Sequence, residues 1–386
     1  MPPSFPYGGM ENPRLVFGSP SLIARDRSLV TVLVHELAHA WAGNLVTNAT
    51  WSDFWINEGT TVYLELRLNE VLWGRERAEL LAHIGFLELS RAVGRMGESS
   101  GDTRLVCDLR GRDPAEGVTA VPYLKGAAFF WRLEALVGRE RLDRFLRGWF
   151  ERHAFRSVVT EQLVTELREQ LLTEVELAEL ELEDWLLGTG LRPDAAPPPS
   201  SIASRVALLT RQVSTLAADD LNSGGPADLN PGGGAIPRDL AAVRNPGRVD
   251  LRSPSASVGG DQSVGEGVDA DPTSSPSPDD DSPGGLAGLG NLGVHANRLF
   301  LEALLDSPPA RSVLDAVGAV TGVASSENAE LAMLWLRLRL RTGDPTAESA
   351  VREFGAKHGR LKYLRPLLLD LAAREPARAL EVYATL

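Results

Sequence analysis

Two histidines and a glutamate occur within five consecutive residues, His35-Glu36-Leu37-Ala38-His39. On a helix, residues i and i+4 lie about one turn apart on the same face, so the two imidazoles can bind one metal ion together. Zinc suits imidazole ligands, and a catalytic zinc site keeps one position open for water. Glu36 is placed to take a proton from that water, while the metal lowers the pKa of the water and polarises a carbonyl. The pentapeptide therefore predicts metal-assisted hydrolysis.

A carboxylate that could complete the ligand set is Glu58, separated from His39 by eighteen residues. A lone H-E-x-x-H pattern occurs often by chance, and it is then a polar pair on a helix surface. Here the stretch 28–41 is apolar on nearly every face, which predicts a buried helix. Buried histidines without a ligand would be costly. We therefore predict one zinc ion (Zn2+) per chain, bound by His35, His39 and Glu58, with Glu36 as the base.

The elements around these residues are predicted to be mainly helical. A short strand is expected at Arg14–Phe17, between a proline and a glycine. Helical spacing of apolar residues is typical of the stretches 28–41, 56–74, 76–96, 121–138, 139–152, 160–172, 202–222 and much of 296–386.

Composition divides the chain into parts. Residues 1–190 are expected to form one domain, followed by a stiff, Pro-rich linker at 191–201. Residues 202–386 are expected to form a second, helical domain. An insertion at about 223–292 interrupts it and is rich in Gly, Pro, Ser and Asp without any aromatic residue. Because such a composition cannot bury enough apolar surface, we predict that this insertion is disordered.

Charge and cysteine content exclude some classes of protein. The formal net charge of −13 argues against a nucleic-acid partner, since phosphate binding requires clustered Lys and Arg. The single cysteine, Cys107, excludes an intrachain disulfide framework and makes a reducing compartment, the cytoplasm, the expected location. No run approaches the roughly 18 apolar residues of a membrane span, so no membrane partner is expected.

The spacing H-E-x-x-H-x(18)-E with Asn57-Glu58-Gly59 resembles the gluzincin aminopeptidases, the thermolysin-like zinc peptidase family that includes alanyl aminopeptidase. Upstream, Gly8-Gly9-Met10-Glu11-Asn12 is similar to the exopeptidase motif of that family. The resemblance implies peptide substrates and a thermolysin-like catalytic domain followed by an α-helical, solenoid-like C-terminal domain. It implies that Glu11 binds the free α-amino group, as a fixed carboxylate facing an ammonium would. Substrate binding is expected from Tyr7, Gly8, Gly9, Met10 and Glu11.

Two further segments extend the resemblance. Val121-Pro122-Tyr123 is similar to the family segment with the catalytic tyrosine, which implies that Tyr123 donates a hydrogen bond to the oxyanion. Within the family the resemblance is strongest to the leukotriene A(4) hydrolase and aminopeptidase B branch. In that branch, residues matching Arg360 and Lys362 bind the C-terminal carboxylate of the substrate. The stretches that carry this resemblance are 6–13, 43–48, Trp51, 54–59, 219–222 and 359–366.

The sequence departs from this branch in two places. The Asp and Tyr that serve epoxide chemistry in the leukotriene-processing members are replaced here by Ala115 and Val118. Both epoxide hydrolysis and a preference for N-terminal arginine are therefore in doubt. The family also has a β-rich domain of roughly two hundred residues before the catalytic domain. Because Gly8 stands almost at the start of this sequence, we expect that domain to be missing.

Three functions remain open from the sequence. The first is a zinc metallo-aminopeptidase that removes the N-terminal residue from short peptides. The second is a bifunctional enzyme that also hydrolyses leukotriene epoxides, against which Ala115 and Val118 count. The third is an inactive zinc-binding chain that acts as an interaction module.

Overall fold

The computed structural model describes residues 1–2, 5, 7–222 and 292–385. The insertion predicted at about 223–292 lies, apart from residue 292, outside the described residues. Helices dominate the described part, so the prediction of a mainly α chain is confirmed. The helices are α1 (Val30–Ala38), α2 (Phe54–Trp73), α3 (Arg75–Met96), α4 (Gly126–Val137), α5 (Arg139–Arg152), α6 (Thr160–Glu166), α7 (Glu174–Leu180), α8 (Leu182–Leu187), α9 (Ser201–Asn222), α10 (Val294–Asp306), α11 (Arg311–Thr321), α12 (Ala329–Arg341), α13 (Ala347–Lys357), α14 (Leu361–Ala372) and α15 (Pro376–Thr385).

Four short strands form two pairs. β1 (Gly9–Met10) pairs antiparallel with β2 (Phe17–Gly18), and β3 (Val46–Asn48) pairs in parallel with β4 (Arg156–Val158). The strand predicted at Arg14–Phe17 was therefore wrong in its bounds. Arg14 has a φ of +67°, in the left-handed region that an extended strand cannot contain, so pairing begins only at Phe17.

The helix predicted at 28–41 is shorter and less buried than expected. It spans Val30–Ala38, and the expectation of burial on nearly every face was wrong. Leu33, Leu37 and Trp41 are 44%, 58% and 44% exposed. Within the described residues this helix packs mainly against α2 and β1, and the residues that it buries are Thr31, Val34, Glu36 and Ala38. An all-apolar sequence thus does not fix how many faces have a packing partner.

A close helix crossing joins α2 to α4. At the crossing, Gly59 faces Gly126, and a Cβ atom on Gly59 would lie only 2.6 Å from the Cα of Gly126. Glycine at both positions removes this obstacle and lets the two backbones touch. The crossing brings the turn Val121–Lys125, which precedes α4, against the first turns of α2. Glu58 and Tyr123 are thereby held on adjoining elements.

Apolar side chains form three main cores. The first joins α2 to α4–α8 and includes Trp55, Phe129 and Trp185. The second joins α3 to α9–α12 through Leu80 and Ile84. The third joins α12 to α13–α15. Side chains of α3 pack on both the first and the second core, and side chains of α12 belong to both the second and the third. The three cores are therefore continuous. In the described ranges, no helix has both the length and the apolarity that crossing a bilayer requires.

Candidate metal centre and substrate cavity

Three side chains converge where α1 meets the first turns of α2. The Nε2 atoms of His35 and His39 lie 3.1 Å apart, and each lies 3.4 Å from Oε2 of Glu58. The histidines meet because they are one helical turn apart, and Glu58 reaches them because α1 and α2 pack side by side. A tetrahedral zinc ion with bonds of about 2.0–2.2 Å would hold its ligand atoms about 3.3–3.6 Å apart. The two separations of 3.4 Å fall in that range, and the 3.1 Å between the two nitrogens is slightly shorter.

The chemistry of these donors also fits a zinc ion. Oε2 of Glu58 is buried and has no hydrogen-bond partner within the described residues. An isolated buried carboxylate oxygen is costly unless a proton or a cation satisfies it. The imidazoles of His35 and His39 turn their Nε2 atoms towards the same point, as two metal ligands would. Two nitrogens and one carboxylate oxygen, with a position left for water, are a typical donor set of a catalytic zinc site.

Outer hydrogen bonds fix both imidazole rings. Nδ1 of His35 lies 3.0 Å from a carboxylate oxygen of Glu65, and Nδ1 of His39 lies 2.9 Å from the carbonyl oxygen of Ala42 and 3.1 Å from the hydroxyl of Thr61. Since a carboxylate and a carbonyl can only accept, Nδ1 carries the proton and Nε2 presents its lone pair. The sequence reasoning missed Glu65 and Thr61. Their spacing of seven and three residues from Glu58, on one face of α2, could have indicated them.

The charges of the cluster oppose the effect of burial. Burial lowers the pKa of His35, but the adjacent carboxylates of Glu58 and Glu65 outweigh it and raise that pKa to about 10. Burial acts to raise the pKa of Glu58, yet the two imidazoles 3.4 Å from its Oε2 hold it at about 2. Protons therefore occupy this cluster when a cation does not, and binding of a metal ion must release them.

Glu36 lies beside the cluster against the backbone of β1. A Cβ atom on Gly9 would lie 2.4 Å from Oε1 of Glu36, so glycine at this position makes room for the carboxylate. Burial raises the pKa of Glu36 to about 7, although the nearby histidines lower it. A carboxylate with a pKa near neutrality can both accept and return a proton at physiological pH.

Glu11 adds a further carboxylate to this end of the cavity. One ligand atom each of Glu11, Glu36 and His39 can be chosen so that all three lie within 4.8 Å of one another. The backbone oxygen of Glu11 accepts a hydrogen bond of 2.8 Å from the side-chain amide of Asn44, in the loop after α1. The end of β1 is thus tied to the metal-binding helix. The role of Asn44 as this anchor was not foreseen from the sequence.

Tyr123 lies in the turn before α4, close to the metal ligands. Its ring stacks on that of His35 with centroids 6.4 Å apart, and it meets Phe54 edge-on at 5.8 Å. Burial raises the pKa of Tyr123 well above its usual value, and the negative charge of Glu58 raises it further. The hydroxyl therefore stays protonated and can donate a hydrogen bond.

The predicted carboxylate-binding residues lie in the same cavity, which has a volume of about 1040 Å³. Nζ of Lys362 forms an ion pair with Glu330, and a guanidinium nitrogen of Arg298 lies 3.2 Å from the other oxygen of Glu330. Arg360 is buried, with its guanidinium 5.4 Å from the ring centroid of Tyr363. Glu330 and Arg298 carried no local sequence signal, because they come from helices far from the zinc motif.

Residues in β1 and on either side of it complete the lining of the cavity. Tyr7, Gly8 and Met10 face the cavity with Gly9 and Glu11. On the wall beside Tyr123, Val118 also faces it, whereas Ala115 lies in the turn Pro114–Gly117.

Glu116, the acidic neighbour of Ala115, pairs with Arg112 at 3.0 Å and does not line this cavity. The wall formed by this turn therefore presents an apolar side chain, Val118, to the cavity.

Two models of known protein families match separate parts of this chain. Residues 1–185 match the family model described as Peptidase family M1 domain, and residues 292–386 match the model described as Leukotriene A4 hydrolase, C-terminal. The chain is 32% identical to leucine aminopeptidase 2 of Aspergillus terreus over 99% of this chain and 53% of that protein. It is 32% identical to leucine aminopeptidase 2 of Aspergillus niger over 96% of this chain and 51% of that protein.

A solved structure shares the fold. The yeast LTA4 hydrolase in complex with bestatin superimposes with a TM-score of 0.75 and 25% identity, covering 99% of this chain and 55% of the yeast chain. This chain thus spans about half the length of the relatives that it matches. The predicted fold class and family resemblance are confirmed. Residues 1–185 thus carry a peptidase family M1 domain, and residues 292–386 carry a leukotriene A4 hydrolase C-terminal domain.

Proposed function

We propose that this chain is a zinc-dependent aminopeptidase that removes the N-terminal residue from short peptides. The observation that carries the proposal is the place of Glu11, whose carboxylate lies within 4.8 Å of ligand atoms of Glu36 and His39. A carboxylate at that position binds the free α-amino group of a peptide by a charge-assisted hydrogen bond. The first peptide bond, one residue away, then lies at the metal ligands, and internal bonds are excluded.

The residues of the chain have distinct roles in this reaction. His35, His39 and Glu58 hold the zinc, which when bound acts as a Lewis acid on the scissile carbonyl and on water. Glu36 takes a proton from the attacking water as the new C–O bond forms. It then delivers that proton to the departing amine as the C–N bond breaks. Tyr123 donates a hydrogen bond to the oxyanion that develops at the carbonyl.

The basic end of the cavity, which contains Arg360 and Lys362, favours short peptides in this proposal. Arg360 and Lys362 are proposed to bind the C-terminal carboxylate of the substrate, since two nearby cations suit a carboxylate. A peptide held at both termini must fit within one cavity, which excludes long chains. Relatives named leucine aminopeptidase 2 support removal of N-terminal residues.

The two alternatives are less well supported. Hydrolysis of a leukotriene epoxide would need polar groups where Val118 lines the cavity and where Ala115 stands. An inactive interaction module would not need the buried base and the protonated tyrosine beside the metal ligands.

The test is hydrolysis of a panel of fluorogenic aminoacyl amides by the purified chain. We expect release that a chelator abolishes and added zinc restores, with apolar N-terminal residues preferred. An N-acetylated amide of the best residue is the matched control, and it should not be cleaved because Glu11 has no ammonium to bind. A chain that binds one zinc ion but releases nothing from any amide would overturn the proposal and favour the interaction module.

A further inference from the structure

The loop between β2 and α1 is held in an unusual backbone conformation. Arg25 and Arg27, on either side of Asp26, have φ values of +60° and +58°. Non-glycine residues in the left-handed region persist only where the surroundings impose them. Within the loop, Asp26 accepts hydrogen bonds from the backbone and the hydroxyl of Ser28, at 3.0 and 2.6 Å.

Further constraint comes from two neighbouring residues about three hundred positions away. Glu327 pairs with Arg25 at 3.1 Å, and Asn328 makes the buried contacts. The side-chain amide nitrogen of Asn328 donates to Asp26 and to the hydroxyl of Ser28, both at 2.8 Å. Its side-chain oxygen accepts from the backbone N–H groups of Glu330 and Leu331, at 2.9 and 3.4 Å, which caps the start of α12. Asn328 is 2% exposed, and both its donors and both its acceptor positions are used.

These contacts join the two ends of the cavity through one side chain. Ser28 stands two residues before α1, the helix with His35 and His39. Glu330 stands two residues after Asn328 and pairs with Lys362 at the basic end. Within the described residues, α2 and β1 are the main packing partners of α1, and the ring of Tyr123 stacks on His35. The hydrogen bonds of Asn328 are thus a direct link from the metal-binding helix to the carboxylate-binding end.

We infer that Asn328 is a positioning residue that fixes the metal-binding helix relative to the basic end of the cavity, so that one peptide can engage both ends at once. This inference rests on the proposed aminopeptidase function. Asn328 does not itself line the cavity and touches no reacting atom. It therefore affects catalysis only through the elements that it joins, and substrates that use a single end should depend on it less.

The chain offers a matched set of variants. Asn328→Asp keeps the oxygen that caps α12 but turns a second oxygen towards the carboxylate of Asp26, which repels it. The double variant Asp26→Asn with Asn328→Asp exchanges the two groups. The amide of residue 26 then donates to the carboxylate of residue 328, and its oxygen still accepts from Ser28. A residue that only capped α12 would tolerate the single change and would gain nothing from the exchange.

The experiment compares a tripeptide that has a free C-terminal carboxylate with the same tripeptide as its C-terminal amide. We expect Asn328→Asp to reduce the kcat/KM of the free acid, relative to that of the amide, by about tenfold, mainly by raising the KM of the free acid. An effect of this size is typical of coupled residues. The double variant should restore the ratio. In parallel, hydrogen exchange should show lost protection for amides of residues 26–32 in the single variant and recovery in the double variant.

The outcomes separate this inference from the function on which it rests. No change for either tripeptide in the single variant, or an equal fall for both without recovery in the double variant, would mean that Asn328 does not position the two ends. A wild-type chain that cleaves neither tripeptide would reject the proposed function. Hydrogen exchange then decides the positioning role alone, because unchanged protection of residues 26–32 in Asn328→Asp would overturn it.

Discussion

The two ends of the cavity are built in opposite ways. At the metal end, the residues from His35 to Glu65 come from two consecutive helices and span about thirty positions of the chain. At the basic end, Arg298, Glu330 and Lys362 come from α10, α12 and α14, which adjoin the metal end through α3 and through contacts such as that of Asn328. The first end is fixed by local helix geometry, and the second by the packing of distant helices.

This difference separates the chemistry from the selection of the substrate. Substitutions at the metal end should affect every substrate, because they change bond breaking. Substitutions at the basic end should affect only substrates that have a carboxylate to bind. Catalytic groups act on the transition state, whereas a remote binding group acts on the ground state and the transition state alike.

The largest effect is expected from Glu36→Gln at the metal end. Glutamine has nearly the same shape but cannot accept a proton, and general acid–base catalysis contributes about 10²–10⁴-fold. We expect kcat to fall by about that factor for both tripeptides, measured from initial rates, with zinc content unchanged by metal analysis. Activity within tenfold of the wild type would mean that another group is the base.

A smaller effect is expected from Gly59→Ala, which changes the crossing of α2 and α4 that supports the metal end. The new Cβ would meet the Cα of Gly126 at 2.6 Å, so α2 and α4 would have to separate. Overpacking of this kind costs about 1–3 kcal/mol of unfolding free energy. We expect a lower denaturation midpoint and, because Glu58 and Tyr123 sit on the separated elements, weaker zinc binding. Gly94→Ala, on the open side of α3 with no atom within 4 Å, is the matched control. It should leave zinc binding unchanged and should, if anything, raise the denaturation midpoint, because alanine favours a helix over glycine.

A still smaller and more selective effect is expected from Lys362→Met at the basic end. Methionine keeps the aliphatic part of the side chain, and Glu330 retains its pairing with Arg298. Loss of one charge-assisted contact at a half-exposed site should raise the KM of the free-acid tripeptide about tenfold. The tripeptide amide should be cleaved as before. Equal effects on the acid and the amide would contradict the division between the two ends.

The same contrast explains what the sequence could predict. His35, His39 and Glu58 were found because a helix places residues four apart on one face and because the next helix begins close by. Their geometry matches the predicted ligand set, which remains a prediction until metal is measured. The exposed face of α1 was predicted wrongly, since its sequence does not show which partners pack on it.

The roles of Glu330 and Asn328 could not be predicted from the sequence at all. Each is an ordinary residue at the start of a helix, and its function arises only when α12 packs against the loop before α1. Tertiary packing of this kind leaves no pattern in the neighbouring sequence.

The smallest effect concerns pH and again distinguishes the basic end. Burial, together with the positive charges of Arg77 and Arg298, lowers the pKa of His295 from its usual 6.5 to about 4. Between these two values the unfolded chain binds a proton that the folded chain does not, so the unfolding free energy falls as pH decreases from 6.5 to 4. At pH 5.5 this single group should account for about 1 kcal/mol of lost stability relative to pH 7.5.

His295→Gln tests this assignment, because its side-chain oxygen can still accept the hydrogen bond that Arg77 offers to Nε2 of the imidazole. The difference in unfolding free energy between wild type and variant should be constant above pH 7, change by about 1 kcal/mol by pH 5.5 and level off below pH 4. Parallel profiles would show that His295 does not titrate differently in the two states.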